Sequence, residues 1–302
     1  MIEVKDLTYR YRGEKSPAVD GISFDVNRGE IFGFLGPSGA GKSTTQKVLI
    51  RLLRGYSGSA RIAGRELSVL NGDFYNMIGV GFELPNHYPR LTALENLQFF
   101  ASFYSNRTKD PMELLRITGL EEHAGRKTSG FSKGMKMRLN FVRALIHDPD
   151  ILFLDEPTSG LDPLNARKIK NIIKNLRSRG KTIFLTTHNM HDAGELCDRV
   201  AFITRGRIAL TDAPVNLQLQ HGTRKLKVEY GEQQPAEAEF PLDGLAGNDR
   251  FLSIIRNQHI RSMHTSEATL EEIFIKTTGE SLTGEESINI NSDEQVQKDE
   301  QP

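Results

Sequence analysis

The stretch GPSGAGKST, residues 36–44, constrains this chain more than any other. It fits the spacing G-x-x-x-x-G-K-[ST], follows the apolar run EIFGFL and enters a helical pattern over about 42–53. A strand, a glycine turn and a helix in that order open a parallel α/β sheet. The nine residues Gly36, Pro37, Ser38, Gly39, Ala40, Gly41, Lys42, Ser43 and Thr44 divide the work of holding phosphate. The glycines let backbone amides wrap phosphate oxygens without a side-chain clash, Lys42 brings a point charge to the outer phosphates, and the Ser43 hydroxyl is a ligand for Mg²⁺.

Two further apolar runs end in chemistry. ILFLDEP delivers Asp155 and Glu156 where a strand end meets such a loop; Asp155 then holds Mg²⁺ through water, and Glu156 polarises an attacking water as general base. TIFLTTH ends in His188, at the edge of a parallel sheet where ligands bind, with a hydrogen bond to offer a γ-phosphate. Tyr11, ahead of the loop, offers a π-face to adenine, with Tyr9 as its rival; either also reads as an aromatic covering apolar surface. In FSKGMKMRL, Ser132 caps a basic helix that begins with Lys133, Gly134 and Met135. Its exposed amides attract anions, although capping alone would explain the serine.

Around these motifs the pattern divides. Two strands flank GEKSP near the N-terminus, and residues 84–145 turn mainly helical, opening with the capping box Thr92-Ala-Leu-Glu95. This reads as a helical subdomain inserted in the sheet. Asp162-Pro163 starts a helix that ends near Gly180, and RVAFITRGRIAL folds as a hairpin turning at Arg205-Gly206. Residues 223–280 form a small accessory unit: the strand KLKVEY, a Gln/Pro/Glu-rich link, the helix-like DRFLSIIRN and SEATLEEIFIKTTG. Residues 281–302 are polar and acidic and are expected to be disordered. There is no repeat of solenoid length.

Composition narrows the partners. The 302 residues carry a formal net charge of zero with 26% charged side chains, so no global basic field holds nucleic acid or an anionic membrane, and no nucleic-acid partner is expected. One cysteine, Cys197, excludes an internal disulfide framework and reads as buried filler. The N-terminus lacks the apolar stretch of a secretory signal, and no apolar run nears the roughly 20 residues that cross a bilayer. The expected place is the cytoplasm, with any membrane part supplied by a partner.

In order, GPSGAGKST, FSKGMKMRL, ILFLDEP, SGLD and TTH resemble the ATP-binding subunit of an ABC transporter over about residues 1–220. The resemblance implies an α/β phosphate-loop NTPase fold of the ABC ATPase type: a mixed core sheet, an antiparallel β subdomain, a helical subdomain and here a small C-terminal α+β accessory unit. It implies a head-to-tail pair of ATPase domains, two copies or a related pair, that closes on two ATP molecules with Mg²⁺. FSKGM stands at the family's signature position, so Ser132 and Gly134 would touch the γ-phosphate held by the other subunit. Asp162 of SGLD would cross the interface, His188 would contact the γ-phosphate and Tyr11 would stack on adenine.

The sequence also departs from the family. Glu83, in VGFELPNHYP, stands where a glutamine is usual and is a further Mg²⁺ ligand, yet it adds a negative charge near the triphosphate. Two like charges about 4 Å apart cost on the order of 4 kcal/mol at an effective dielectric of 20. Lys133 and Met135 replace the usual glycine and glutamine, as in similar exporters of drugs, ions, lipids or polysaccharides. The expected function is a cytoplasmic, membrane-peripheral ATPase that hydrolyses Mg-ATP to drive a separate polytopic permease docked on residues 83–100. The alternatives are a non-transport ABC ATPase and a nucleotide-binding regulatory module.

Overall fold

The computed structural model describes residues 1–105, 108–222, 224–232, 234–266 and 268–280; the acidic stretch from 281 onward lies outside them. Strands β1 (Ile2–Tyr9) and β2 (Val19–Val26) pair antiparallel, and β3 (Ile31–Leu35) leads through the glycine loop into α1 (Lys42–Leu49). The helix stops at Leu49 and not near residue 53, because Arg51 takes a left-handed φ of 62°. β4 (Ser57–Ile62) and β5 (Arg65–Glu66) complete a four-stranded sheet of order β2-β1-β4-β5. Then come α2 (Phe74–Met77) and β6 (Ile78–Gly81), followed by the helical insert of α3 (Ala93–Ala101), α4 (Pro111–Ile117) and α5 (Lys133–Arg143). Thr92 and Glu95 close the anticipated capping box on α3.

β7 (Ile151–Asp155), α6 (Pro163–Ser178), β8 (Thr182–Thr187), α7 (Met190–Leu196), β9 (Arg199–Thr204) and β10 (Arg207–Asp212) finish the central sheet, whose order is β10-β9-β3-β8-β7-β6. All its neighbours run parallel except the β9–β10 hairpin, which turns at Arg205 and Gly206 with φ of 48° and 77°. β3, β7 and β8 are buried along their whole length, as strands covered on both faces must be. On one face Phe24 of β2 packs against Phe32, Phe34 and Phe184, cementing the antiparallel sheet to the central one. On the other, Ile169, Ile173 and Leu176 recur at helical spacing along α6 and join Leu139 and Val142 of α5.

After α8 (Pro214–His221) come β11 (Lys225–Tyr230), β12 (Ala236–Pro241), α9 (Asp249–Asn257), β13 (Ile260–Ser266) and α10 (Leu270–Thr278). β12 lies within the stretch expected as a link, and β13 was not anticipated. In β12, Ala238 and Phe240 point inward opposite Val228 and Leu226, and that burial outweighs the low strand propensity of its glutamates. These three strands and α9 close a small core of their own. α10 does not join it: Leu270, Ile273 and Phe274 return to the main core beside Leu217 and Phe202.

Candidate functional site

β3, β7 and β8 end at one edge of the sheet, with Leu35 beside Thr187 and Asp155 beside Thr186. Residues 36–44 wrap over this edge. A Cβ on Gly36 would lie 2.1 Å from the Ile203 carbonyl oxygen, and one on Gly41, at φ 110°, 2.6 Å from that of Ala18. Neither position admits a side chain. Gly41 also leaves the start of α1 without a side-chain cap, so the amides there remain for an anion. Lys42 is buried and its Nζ spans the loop, donating to Gly36 O at 2.6 Å and Pro37 O at 2.9 Å. Burial lowers its pKa while Glu156, Asp155 and Glu83 pull it upward, which puts exposed Glu83 within electrostatic reach of the loop.

Below the loop, Ser43 Oγ donates to Asp155 Oδ2 at 3.3 Å, and the Thr186 hydroxyl donates to Asp155 Oδ1 and stands 3.2 Å from Gln46 Oε1. Burial raises the Asp155 pKa, with the Thr186 hydrogen bond opposing and Glu156 adding to the rise. Hydroxyl and carboxylate oxygens converging here suit a hard cation such as Mg²⁺. The Gln46 Nε2 amide, buried without a hydrogen-bond partner among the described residues, leaves one more donor for a water or phosphate oxygen.

Glu156 is buried and holds a left-handed φ of 49°, a strain of about 1 kcal/mol or more. Three donors converge on its carboxylate: Thr187 Oγ1 at 2.8 Å, His188 N at 2.8 Å and His188 Nδ1 at 2.6 Å. With Nδ1 engaged, Nε2 of the half-exposed His188 ring is the nitrogen left for a ligand. The Tyr11 hydroxyl stands 3.2 Å from Thr44 Oγ1, whereas Tyr9 packs on the apolar core and meets the Tyr11 ring edge-on at 5.1 Å. Thr186, Thr187 and Gln46 went unread in the sequence; the signal for the threonines was two hydroxyls closing an otherwise apolar strand.

The FSKGM turn is a separate surface. Ser132 caps α5, accepting from Met135 N at 3.2 Å, and both Ser132 and Lys133 are exposed. The Lys133 stem lies across Gly160, where an added Cβ would meet its Cε at 2.9 Å; one on Gly134 would meet Leu161 Cδ2 at 3.5 Å. The turn therefore rests on the SGLD loop. Asp162 caps α6, accepting from Asn165 N at 3.0 Å and Nδ2 at 2.6 Å, bonds that hold its carboxyl below the usual range. Among the described residues, no hydrogen bond or ion pair ties Ser132, Lys133, Gly134, Met135 or Asp162 to residues 36–44.

A family model described as "ABC transporter" matches residues 19–159. The fluoroquinolones export ATP-binding protein of Mycobacterium tuberculosis is 55% identical over 285 residues, covering 94% of this chain and 95% of the relative. The chain belongs to the ABC transporter ATP-binding family. A second model, the fluoroquinolone efflux ABC transporter C-terminal domain, matches residues 224–267 of this ABC ATPase. The bacitracin transport ATP-binding protein of Bacillus licheniformis is 32% identical, covering 94% of this chain and 99% of the relative. Among solved structures, an ATP-binding cassette captured as a dimer in a post-hydrolysis state with ADP and Pi is 28% identical with a TM-score of 0.65, covering 70% of this chain and 98% of that one. The ABC ATPase is thus the ATP-hydrolysing subunit of an exporter. Among the described residues, no helix is long and apolar enough to cross a membrane.

Proposed function

We propose that this ABC ATPase hydrolyses Mg-ATP at a site shared between two copies, or with a related subunit, and thereby drives a separate polytopic permease. The observation that carries this reading is the split just described: a phosphate loop complete in itself and a capped signature turn, exposed and unconnected to it. Residues 36–44 cradle the phosphates, Lys42 meets the outer ones, and Tyr11 stacks on adenine. Ser43, Asp155 and Glu83 hold Mg²⁺, which when bound neutralises phosphate charge. Glu156 orients the attacking water and accepts its proton, and His188, its ring oriented by Glu156, stands beside the γ-phosphate. Ser132 and Gly134, with Lys133 and Met135 beside them, face the partner's nucleotide across an interface that Asp162 borders.

A groove of about 540 Å³ between the central sheet and the helical insert supports the permease reading. It is lined by Phe82, His87, Tyr88, Phe100, Tyr104 and Arg143, with Phe99 and Phe103 exposed at its rim. The permease would hold the ATPase against the inner face of the membrane. We take residues 1–220 as the nucleotide-binding domain and 223–280 as the accessory unit, whose last helix, α10, packs back on the main core. The names of the relatives make fluoroquinolone-like drugs the first cargo to try. Steady-state turnover of the purified chain, measured against protein concentration with Glu156→Gln as control, tests the reading. Turnover per subunit should rise with concentration and vanish in the variant; constant turnover per subunit would contradict a shared site.

A further inference from the structure

The phosphate loop is braced from outside by the hairpin turn between β9 and β10. Gly206 N–H donates to Ala40 O at 2.9 Å, and Gly206 O accepts from Asp20 N at 2.8 Å. The turn stands so close that a Cβ on Gly41 would come within 3.5 Å of Gly206 Cα. Arg205 and Gly206 both need positive φ, the geometry of a two-residue hairpin, and arginine is a poor choice for the first of those places. Its side chain is 85% exposed and, among the described residues, makes one ion pair, Nε to Glu280 Oε1 at 2.6 Å. The other Glu280 oxygen takes the hydroxyl of Thr204, and the Glu280 side chain is only 23% exposed.

Glu280 follows Gly279, whose left-handed φ of 70° ends α10. α10 also lies against β9 through Phe274, edge-on to Phe202 at 5.3 Å, and against α8 through Lys276 Nζ to His221 O at 3.1 Å. Lys225 Nζ of β11 also stands 3.9 Å from Glu272 Oε1 of α10, which ties the helix to the accessory sheet. A contiguous set of contacts thus leads from the accessory unit through α10 and Glu280 to the turn that holds Ala40.

We propose that Glu280 is a positioning residue for the phosphate loop: it fixes the Thr204–Arg205 corner so that Gly206 presents its N–H to Ala40, and through it the C-terminal unit sets nucleotide affinity. This rests on residues 36–44 holding ATP.

The test is ATP binding by the full chain, read with N-methylanthraniloyl-ATP and Mg²⁺, together with KM and kcat. Glu280→Ala should weaken binding and raise KM by roughly fivefold, the size expected of a positioning contact, with kcat at saturating ATP and the thermal midpoint little changed. Arg205→Asn, chosen because asparagine tolerates the left-handed region, should do the same, and the double variant should be no worse than either single one. Glu280→Gln keeps the acceptor and should restore near wild-type affinity, while Thr204→Val should lie between. Affinity in Glu280→Ala within twofold of wild type, additive losses in the double variant, or a loss that tracks a lowered thermal midpoint would each overturn the proposal. Lys42→Ala separates the two readings. Wild-type binding no tighter than Lys42→Ala would overturn the nucleotide site itself and this inference with it, whereas normal wild-type binding with an unaffected Glu280→Ala would overturn this inference alone.

Discussion

The phosphate-loop edge and the signature turn are both built from helix starts and small residues, yet they are finished differently. At the loop edge Lys42, Asp155 and Glu156 are buried and hydrogen-bonded within the chain. At the turn Ser132, Lys133 and Asp162 are exposed, and their local bonds do no more than cap helices. Buried charge costs free energy unless it is matched, so the first region is organised before any ligand arrives. The second keeps its surface open. On the proposed reading, a chain that carries both has the two halves of a site, each usable by another copy.

The largest effect should come from the buried half. Glu156→Gln keeps the size and most hydrogen bonds of a side chain held by Thr187 and His188, so ATP should still bind while turnover falls about 10²–10⁴-fold, the usual worth of a general base. Retained turnover would move the base elsewhere. Next is Gly134→Asp. The space beside Leu161 accepts the added carbons and an acid suits the first turn of α5, so the chain should fold and bind ATP normally. Turnover should nevertheless drop about 10²-fold, as when a donor to the transition state is lost, and a parallel loss of ATP binding would erase the distinction between the halves.

The third effect is on stability. His87 lines the groove and meets Lys136 O of α5 at 2.9 Å, and burial pushes its pKa down to about 4. The unfolded ring titrates near 6.5, so the unfolded state binds more protons below that pH. Stability should therefore be full above pH 6.5 and fall by on the order of 3 kcal/mol as pH drops toward 4. Urea midpoints across that window should flatten in His87→Asn; an unchanged slope would assign the dependence to other groups. Smallest is Glu83→Gln. Removing one exposed charge near Lys42 should tighten Mg²⁺-free ATP binding by roughly fivefold, an effect of about 1 kcal/mol that added salt should reduce. Weaker binding would show that Glu83 does not repel the triphosphate.

The buried half was legible because its residues lie in short contiguous runs whose spacing is the chemistry: GPSGAGKST, ILFLDEP, TTH. Glu83 was readable only through the resemblance, since nothing local to VGFELPNHYP reveals that it stands near Lys42. β12 and β13 escaped for another reason: their pairing with β11 is non-local, and AEAEFP gains its strand from Ala238 and Phe240 facing a core that local propensity does not reveal. The end of α1 was misplaced because nothing local announces that Arg51 turns left-handed.

The most direct measurement of the shared site is to mix two inactive chains. Lys42→Ala keeps an intact signature turn, and Gly134→Asp keeps an intact phosphate loop. A mixed pair contains one site with both halves whole, so ATPase activity should reappear on mixing and scale with the fraction of mixed pairs. If the mixture stays as inactive as its parts while each chain still folds and Gly134→Asp still binds ATP, each copy works alone and the central claim fails.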